Sequence, residues 1–244
     1  MRYAVFSDVH GNLEALEAVL ADAARHAPDM YVCLGDVVGY GPDPNECVSR
    51  VRALGGGVSA GNHDLAAIGA ADLETFSPLA RIAIEWTASV LSHDSRQFLA
   101  SLPLRLETPA FLAVHGSPRD PVEEYILDLP TALAVFAECD FTVCLVGHSH
   151  VAGAFMRGQD GRVGATALLP DEAVRLSRTS RYIINTGSVG QPRDGDPRAS
   201  YLLLDSDLRT ATLRRLDYPI AETQVKMAAR GLPEMLAHRL SSGL

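Results

Sequence analysis

The chain has 244 residues, 47% of them apolar and 21% charged, with a net charge of −9. That balance is ordinary for a globular protein with a sizeable core, and its acidity excludes a surface that coats nucleic acid generally, though not a local basic pocket. No apolar run approaches the ~20 residues of a membrane span, and the N-terminus meets Asp8 too early for a signal peptide, so no membrane partner is expected and the expected compartment is the cytoplasm.

Residues 3–7 read as a strand that runs into Asp8-Val9-His10-Gly11. If the backbone stays extended there, Asp8 and His10 at i and i+2 leave the same face. Asn12 can cap a helix reaching about His26, with Leu13, Leu16 and Leu20 as its apolar stripe and Pro28 beyond its end. A second strand over 30–34 ends in Gly35-Asp36, followed by a loop over 37–44 that glycine and proline hold in a non-repetitive path. A helix over about 45–54 leads through three glycines to a very short strand, 58–60, that ends in Gly61-Asn62-His63-Asp64. Strand, helix, strand, helix, strand implies parallel pairing with crossover helices.

Residues 65–101 read as helical and carry no evident chemistry; a wall or lid over a site is the one role they suggest. Segments 104–106 and 111–114 form a hairpin around Pro109 and lead to His115-Gly116-Ser117-Pro118. A helix over 131–137 precedes the β-branched run 141–146, a buried strand that stops at Gly147-His148-Ser149-His150. After His150 the pattern changes to short strands over 151–156, 163–167, 182–184, 201–204 and 210–216, with Gly158-Gln159-Asp160-Gly161 as a hairpin turn. The second half is therefore mostly antiparallel. A helical tail over about 219–244 closes the chain, which shows no repeat or linker and reads as one domain, 1–244. Cys33, Cys47, Cys139 and Cys144 form no CxxC pair and read as reduced packing residues.

Five separate strand-like runs thus end in residue types that bind metals: Asp8 with His10, Asp36, Asn62 with His63, His115, and His148 with His150. Sheets with parallel strands build their sites outside the carboxyl ends of those strands. The remaining histidines, His26, His93 and His238, lie near helix ends and are read as surface residues. Imidazole, carboxylate and amide oxygen without thiolate suit a catalytic Mn, Fe, Zn or Ni site rather than a structural zinc.

These motifs, in this order and spacing, resemble the calcineurin-like metallophosphoesterases from Tyr3 to about Tyr201, and Asn185-Thr186-Gly187-Ser188-Val189-Gly190-Gln191-Pro192-Arg193 is similar to the C-terminal stretch of their small bacterial phosphodiesterase branch. The resemblance implies an α/β sandwich of two mixed β-sheets with flanking helices. It also implies two divalent metal ions, one held by Asp8, His10, Asp36 and His150, the other by Asp36, Asn62, His115 and His148, with Asp36 bridging. Water activated at such a pair attacks phosphorus, and His63 is the expected proton donor to the leaving oxygen. Many family members place an Asp three residues after the bridging Asp, then an Arg that contacts phosphate. Here those positions are Gly39 and Tyr40, so Asp64 or Asp43 is expected to orient His63, and a small or nucleotide-like phosphodiester is the expected substrate. A phosphomonoesterase, a dinucleoside polyphosphate hydrolase and a non-catalytic binding scaffold on the same fold are the alternatives. Arg193 and Arg119 are candidate phosphate contacts, each with an acidic neighbour, Asp194 or Asp120, that could occupy it instead. Tyr40 and Tyr125 are read as packing residues rather than base platforms.

Overall fold

A computed structural model describes residues 1–244. In chain order its elements are β1 (Arg2–Phe6), α1 (Leu13–Arg25), β2 (Met30–Cys33), α2 (Pro44–Ala53), β3 (Gly57–Val58), α3 (Asn62–Ala67), α4 (Pro78–Val90), α5 (His93–Ala100), β4 (Arg105–Glu107), β5 (Leu112–Val114), α6 (Leu129–Glu138) and β6 (Val143–Val146). They continue as β7 (Gly153–Arg157), β8 (Val163–Thr166), β9 (Ala173–Arg175), β10 (Arg181–Asn185), β11 (Ala199–Asp205), β12 (Thr210–Leu216), α7 (Ile220–Ala229) and α8 (Glu234–Ser242). None of these helices is long and apolar enough to cross a membrane.

The strands form two six-stranded sheets, ordered β3-β2-β1-β11-β12-β9 and β4-β5-β6-β10-β7-β8. Both are mixed. β1, β2 and β3 run parallel, as do β5, β6 and β10, while β11, β12, β4, β7, β8 and β9 pair antiparallel. After His150 the strands pair mostly antiparallel, as expected, with β10 the exception on its β6 side, and the two-sheet sandwich with flanking helices is the expected architecture.

Strand periodicity explains the layers. Tyr3 and Val5 of β1 point into the core between the sheets, where they join Val32, Leu145, Ile184 and Leu202. Their neighbours Ala4 and Phe6 point the other way, under Leu16 and Val19 of α1. On the second sheet Val143 and Leu145 face inward while Cys144 and Val146 lie under Val135 and Phe136 of α6. Strands buried on both faces need apolar residues at every position, so β6 reads as a continuous run rather than an alternation. α1 starts where Asn12 accepts the Ala15 N–H at 3.2 Å.

Three expectations need correction. The stretch 65–101 is not one helix but α3, α4 and α5, with a short 3₁₀ turn at Leu73–Thr75. Ser77 and Ser92 each cap a new helix start, accepting the N–H of Ala80 and Ser95, which is why the segment breaks there. β9, which the sequence pattern does not predict, is a three-residue strand on the edge of the first sheet; only Val174 packs on the core between two exposed residues, too short an alternation to give a period. Finally, the chain is not extended at the ligand motifs, as described next.

A candidate dinuclear metal centre

The parallel strands deliver their loops to one end of the sandwich. There the loop after β1 zips against the loop after β2: Asp8, His10 and Gly11 donate N–H to the carbonyls of Gly35, Asp36 and Val37 at 2.9–3.0 Å. Asp8, His10, Asp36, His148 and His150 all adopt left-handed backbone, with φ between 50° and 63°. Asp8 and His10 therefore face one space because of a tight left-handed turn, not through strand alternation. Non-glycine residues pay about 1–2 kcal/mol each for that conformation, and such strain persists where surrounding bonds over-determine it. The cross-loop hydrogen bonds are that determinant here.

The seven side chains converge. Nε2 of His150 lies 3.2 Å from Asp8 Oδ1 and 3.0 Å from Nε2 of His10. Nε2 of His115 lies 3.1 Å from Nδ1 of His148 and 3.3 Å from Oδ1 of Asn62. Asp36 stands between these groups, its Oδ2 3.6 Å from Nε2 of His10 and 3.4 Å from Nε2 of His115. Asp8, Asp36 and all four histidines are at most 3% exposed.

The outer atoms of these side chains are committed to the backbone. His10 Nδ1, His115 Nδ1, His148 Nε2 and His150 Nδ1 donate to the carbonyls of Val38, Leu34, Glu123 and Gln191 at 2.5–3.1 Å. In the neutral imidazoles that fixes each tautomer and turns the other nitrogen, as a lone pair, toward the centre. The carboxylates follow the same plan: Asp8 Oδ2 accepts from His148 N and Asp36 Oδ1 from His63 N. Asp8 Oδ1 is buried without a hydrogen-bond partner. Lone pairs crowded at 3 Å and an orphaned carboxylate oxygen are costly in a protein interior. Cations shared among them remove the cost, and the donor set suits divalent metal ions. Three buried groups meet the geometry for such an ion: Asp8 with His10 and His150, Asp36 with His115 and His148, and His10 with Asp36 and His63.

His63 adjoins this centre but is held differently. Its ring packs against Tyr40 (4.4 Å between centroids), His10 (4.7 Å) and Phe76 (5.2 Å), and its Nδ1 is buried without a partner. Neither expected carboxylate orients it. Asp64 instead accepts the N–H groups of Val38 and Gly61 and so ties the loops together, while Asp43 pairs with Lys226. Burial lowers the His63 pKa to about 4, against the opposing pull of Asp36. The imidazole is therefore neutral at pH 7 in the resting site.

The centre floors a cavity of about 310 Å³. Arg193 lines it, its Nη2 3.3 Å from the Tyr40 hydroxyl and 3.0 Å from Gln191 Oε1. It does not pair with Asp194, which binds Arg215. Arg119 does not reach the cavity: Glu124 and Glu138 hold its guanidinium outside, rather than Asp120. Tyr40 is buried against His63, while Tyr125 is 46% exposed and stacks on His148 at 3.8 Å between centroids. Sequence reasoning misses Phe76, Ser77, Glu123 and Arg239, which also line the cavity. Phe76 and Ser77 belong to the segment singled out as a possible wall. No local signal marks Arg239.

Comparison with known proteins agrees with this geometry. Residues 1–209 match the calcineurin-like phosphoesterase superfamily domain. The chain is 38% identical over 246 residues to an uncharacterized protein of Methanocaldococcus jannaschii, covering 98% of this chain and 97% of that one. The crystal structure of a metallophosphoesterase from Sphaerobacter thermophilus superposes with a TM-score of 0.90 at 44% identity, covering 100% of both chains. A hypothetical protein from Pyrococcus horikoshii shares the fold, with a TM-score of 0.81 at 21% identity over 100% of this chain and 98% of that one. With the family's domain matched across both sheets and its metal-binding residue types gathered at one end of them, this chain belongs to the calcineurin-like phosphoesterase superfamily.

Proposed function

We propose that the protein is a dinuclear metal-dependent phosphodiesterase acting on a small or nucleotide-like phosphodiester. The observation that carries this reading is the position of Asp36 Oδ2 between two sets of bare donors, His10 with Asp8 and His150 on one side and His115 with Asn62 and His148 on the other. In the family resemblance these are the ligands of two ions, Mn, Fe, Zn or Ni. When bound, such a pair stabilises charge on a phosphoryl oxygen and brings the pKa of a coordinated water near 7.

The chain's own groups do the rest. Backbone carbonyls lock the four ligand imidazoles, so the donors need little reorganisation during turnover. Arg193 presents its guanidinium to the phosphate. His63, edged between Tyr40, His10 and Phe76, is placed to donate to the leaving oxygen. An approaching phosphate anion raises the basicity that burial removes, so His63 gains its acidic proton only once substrate is present. Aromatic walls on both sides of the centre, Phe76 and Tyr125, give each organic arm of a diester a surface to lie against.

One observation favours a monoester instead. The guanidinium that the family commonly brings from position 40 is supplied in space by Arg193, whose Cζ lies 5.7 Å from the Tyr40 ring centroid. A further positive group suits the extra charge of a monoester. Hydrolysis of bis(4-nitrophenyl) phosphate and 4-nitrophenyl phosphate by Mn-loaded protein decides between them. Faster diester turnover, abolished by chelator, is the expected result; faster monoester turnover overturns the diester reading. Chelator-insensitive inactivity toward both, in a protein that retains no metal, supports a non-catalytic scaffold.

A further inference from the structure

The family match ends at residue 209, yet the cavity wall does not. Arg239 of α8 and the terminal residue Leu244 line the cavity together with Arg193. We propose that α8 builds a second anion subsite, with Arg239 as its cation and Arg193 shared between it and the scissile phosphate, and that the substrate is a phosphodiester carrying a further phosphate on one ester arm. This deepens the phosphodiesterase reading and rests on it.

Four observations support the subsite. First, the acids around these two arginines are engaged elsewhere. Asp194 pairs with Arg215, Asp196 with Arg198, Asp43 with Lys226 and Glu234 with His238. Neither guanidinium is therefore paired with an acidic side chain, in a chain of net charge −9. Second, Arg193 Nε is buried with no hydrogen-bond acceptor. A buried charged donor of that kind calls for an anion.

Third, the two arginines are held in register. Gly195, two residues beyond Arg193, donates its N–H to the carbonyl of Gly243 at 2.9 Å, and Gly243 donates to Arg239 O at 3.0 Å. Gly243 has φ +66°, and a Cβ there would stand 2.7 Å from the Asp196 carbonyl carbon. Only glycine lets the end of α8 seat this closely on the Arg193 loop. Fourth, Arg193 donates to the Tyr40 hydroxyl at 3.3 Å, and Tyr40 and Arg239 line the same cavity.

The cavity also dictates polarity. Its one carboxylate side chain outside the metal donors is Glu123, beside His148. An added anion is therefore repelled from the Glu123 side and drawn to the Arg239 side. The scissile phosphate sits on the metal donors, and the second phosphate lies toward α8.

The test compares thymidine 5′-(4-nitrophenyl phosphate) with the same ester bearing a 3′-phosphate. Both release 4-nitrophenolate, so chemistry is constant and only the extra anion differs. Wild-type protein is expected to favour the 3′-phosphorylated ester by about tenfold or more in kcat/KM, mainly through KM. Arg239→Gln is expected to bring that ratio to about twofold or less. Arg230→Gln, which removes an exposed charge from the same tail, is expected to preserve it. In parallel, calorimetric binding of thymidine 3′,5′-bisphosphate and thymidine 5′-monophosphate is compared in the three proteins, with circular dichroism verifying their fold. Discrimination in binding that Arg239→Gln alone removes sustains the subsite even if neither ester is hydrolysed, in which case only the phosphodiesterase reading fails. Equal affinities in the wild type, or equal loss in both variants, overturns the subsite while hydrolysis of either ester leaves the phosphodiesterase reading standing.

Discussion

A methyl group on Gly39 would stand 2.4 Å from Nδ1 of His63. The histidine is thus positioned by close packing against a bare backbone with φ +93°, not by the carboxylate that other family members place at this point of the loop. An acidic side chain at position 39 would need the space that the ring occupies. The departure from the family pattern and the unpartnered His63 Nδ1 are one structural fact.

Gly39→Ala is therefore expected to push His63 aside. A displacement of ~1 Å in a reacting group lowers kcat by about 10²-fold. Metal retention should be unchanged, because the three atoms nearest that methyl all belong to His63, which is not among the seven proposed ligands. Steady-state kinetics together with metal analysis of the purified variant check this; full activity would show that His63 has no catalytic placement to lose.

Chelation should soften the whole fold, because the loops that carry the buried donors lose the cations that tie them together. A divalent ion at about a hundred times its Kd raises the melting temperature by roughly 5–10 °C. Thermal scans with and without Mn test this. In Asp36→Asn, which removes the shared carboxylate, the shift should shrink to a degree or two.

A third prediction concerns Asp22, distant from the cavity. Its carboxylate accepts from the buried Tyr201 hydroxyl at 2.8 Å and from Arg214 at 3.1 and 3.2 Å. Burial alone would raise its pKa, but Arg214 and Tyr201 hold it below the usual carboxylate value. A lowered folded pKa stabilises the fold above the unfolded value, near 3.9, and that stability fades as pH falls through the folded pKa. Asp22→Asn should cost about 2 kcal/mol at pH 7. The gap between variant and wild type should narrow below pH 4 in urea titrations; a constant gap would refute the charge-based account.

The tail has its own anchor. Lys226 of α7 binds both Glu14 of α1 and Asp43 at the start of α2. Lys226→Met should weaken the docking of α7–α8 by about 1 kcal/mol, since the lysine is partly exposed. Faster amide exchange confined to residues 220–243 is the expected signature, and uniform exchange rates would contradict it.

The convergence of these donors was legible because each follows a strand, in the connecting loop or, for Asn62, at the start of α3, and such loops are where sequence order and spatial convergence coincide in these sheets. Asp8, Asp36, Asn62, His115 and His148 could be named from their own neighbours. The left-handed turns were not legible, since Asp and His carry no glycine-like signal for positive φ. Nor were the charge partners. Arg119 looked as available as Arg193, and only the fold brings Glu138 to one and leaves the other's Nε without an acceptor. Arg239 lay furthest from view, because its role depends on α8 returning across the cavity more than forty residues after Arg193.

The central claim is that Asp36 is shared by two cations. Crystals grown with Mn and measured at its absorption edge test it directly. The account predicts two anomalous peaks roughly 3.5–4 Å apart, flanking Asp36 Oδ2, one beside Asp8, His10 and His150 and the other beside Asn62, His115 and His148. A single peak, or two that do not both touch Asp36, would contradict it.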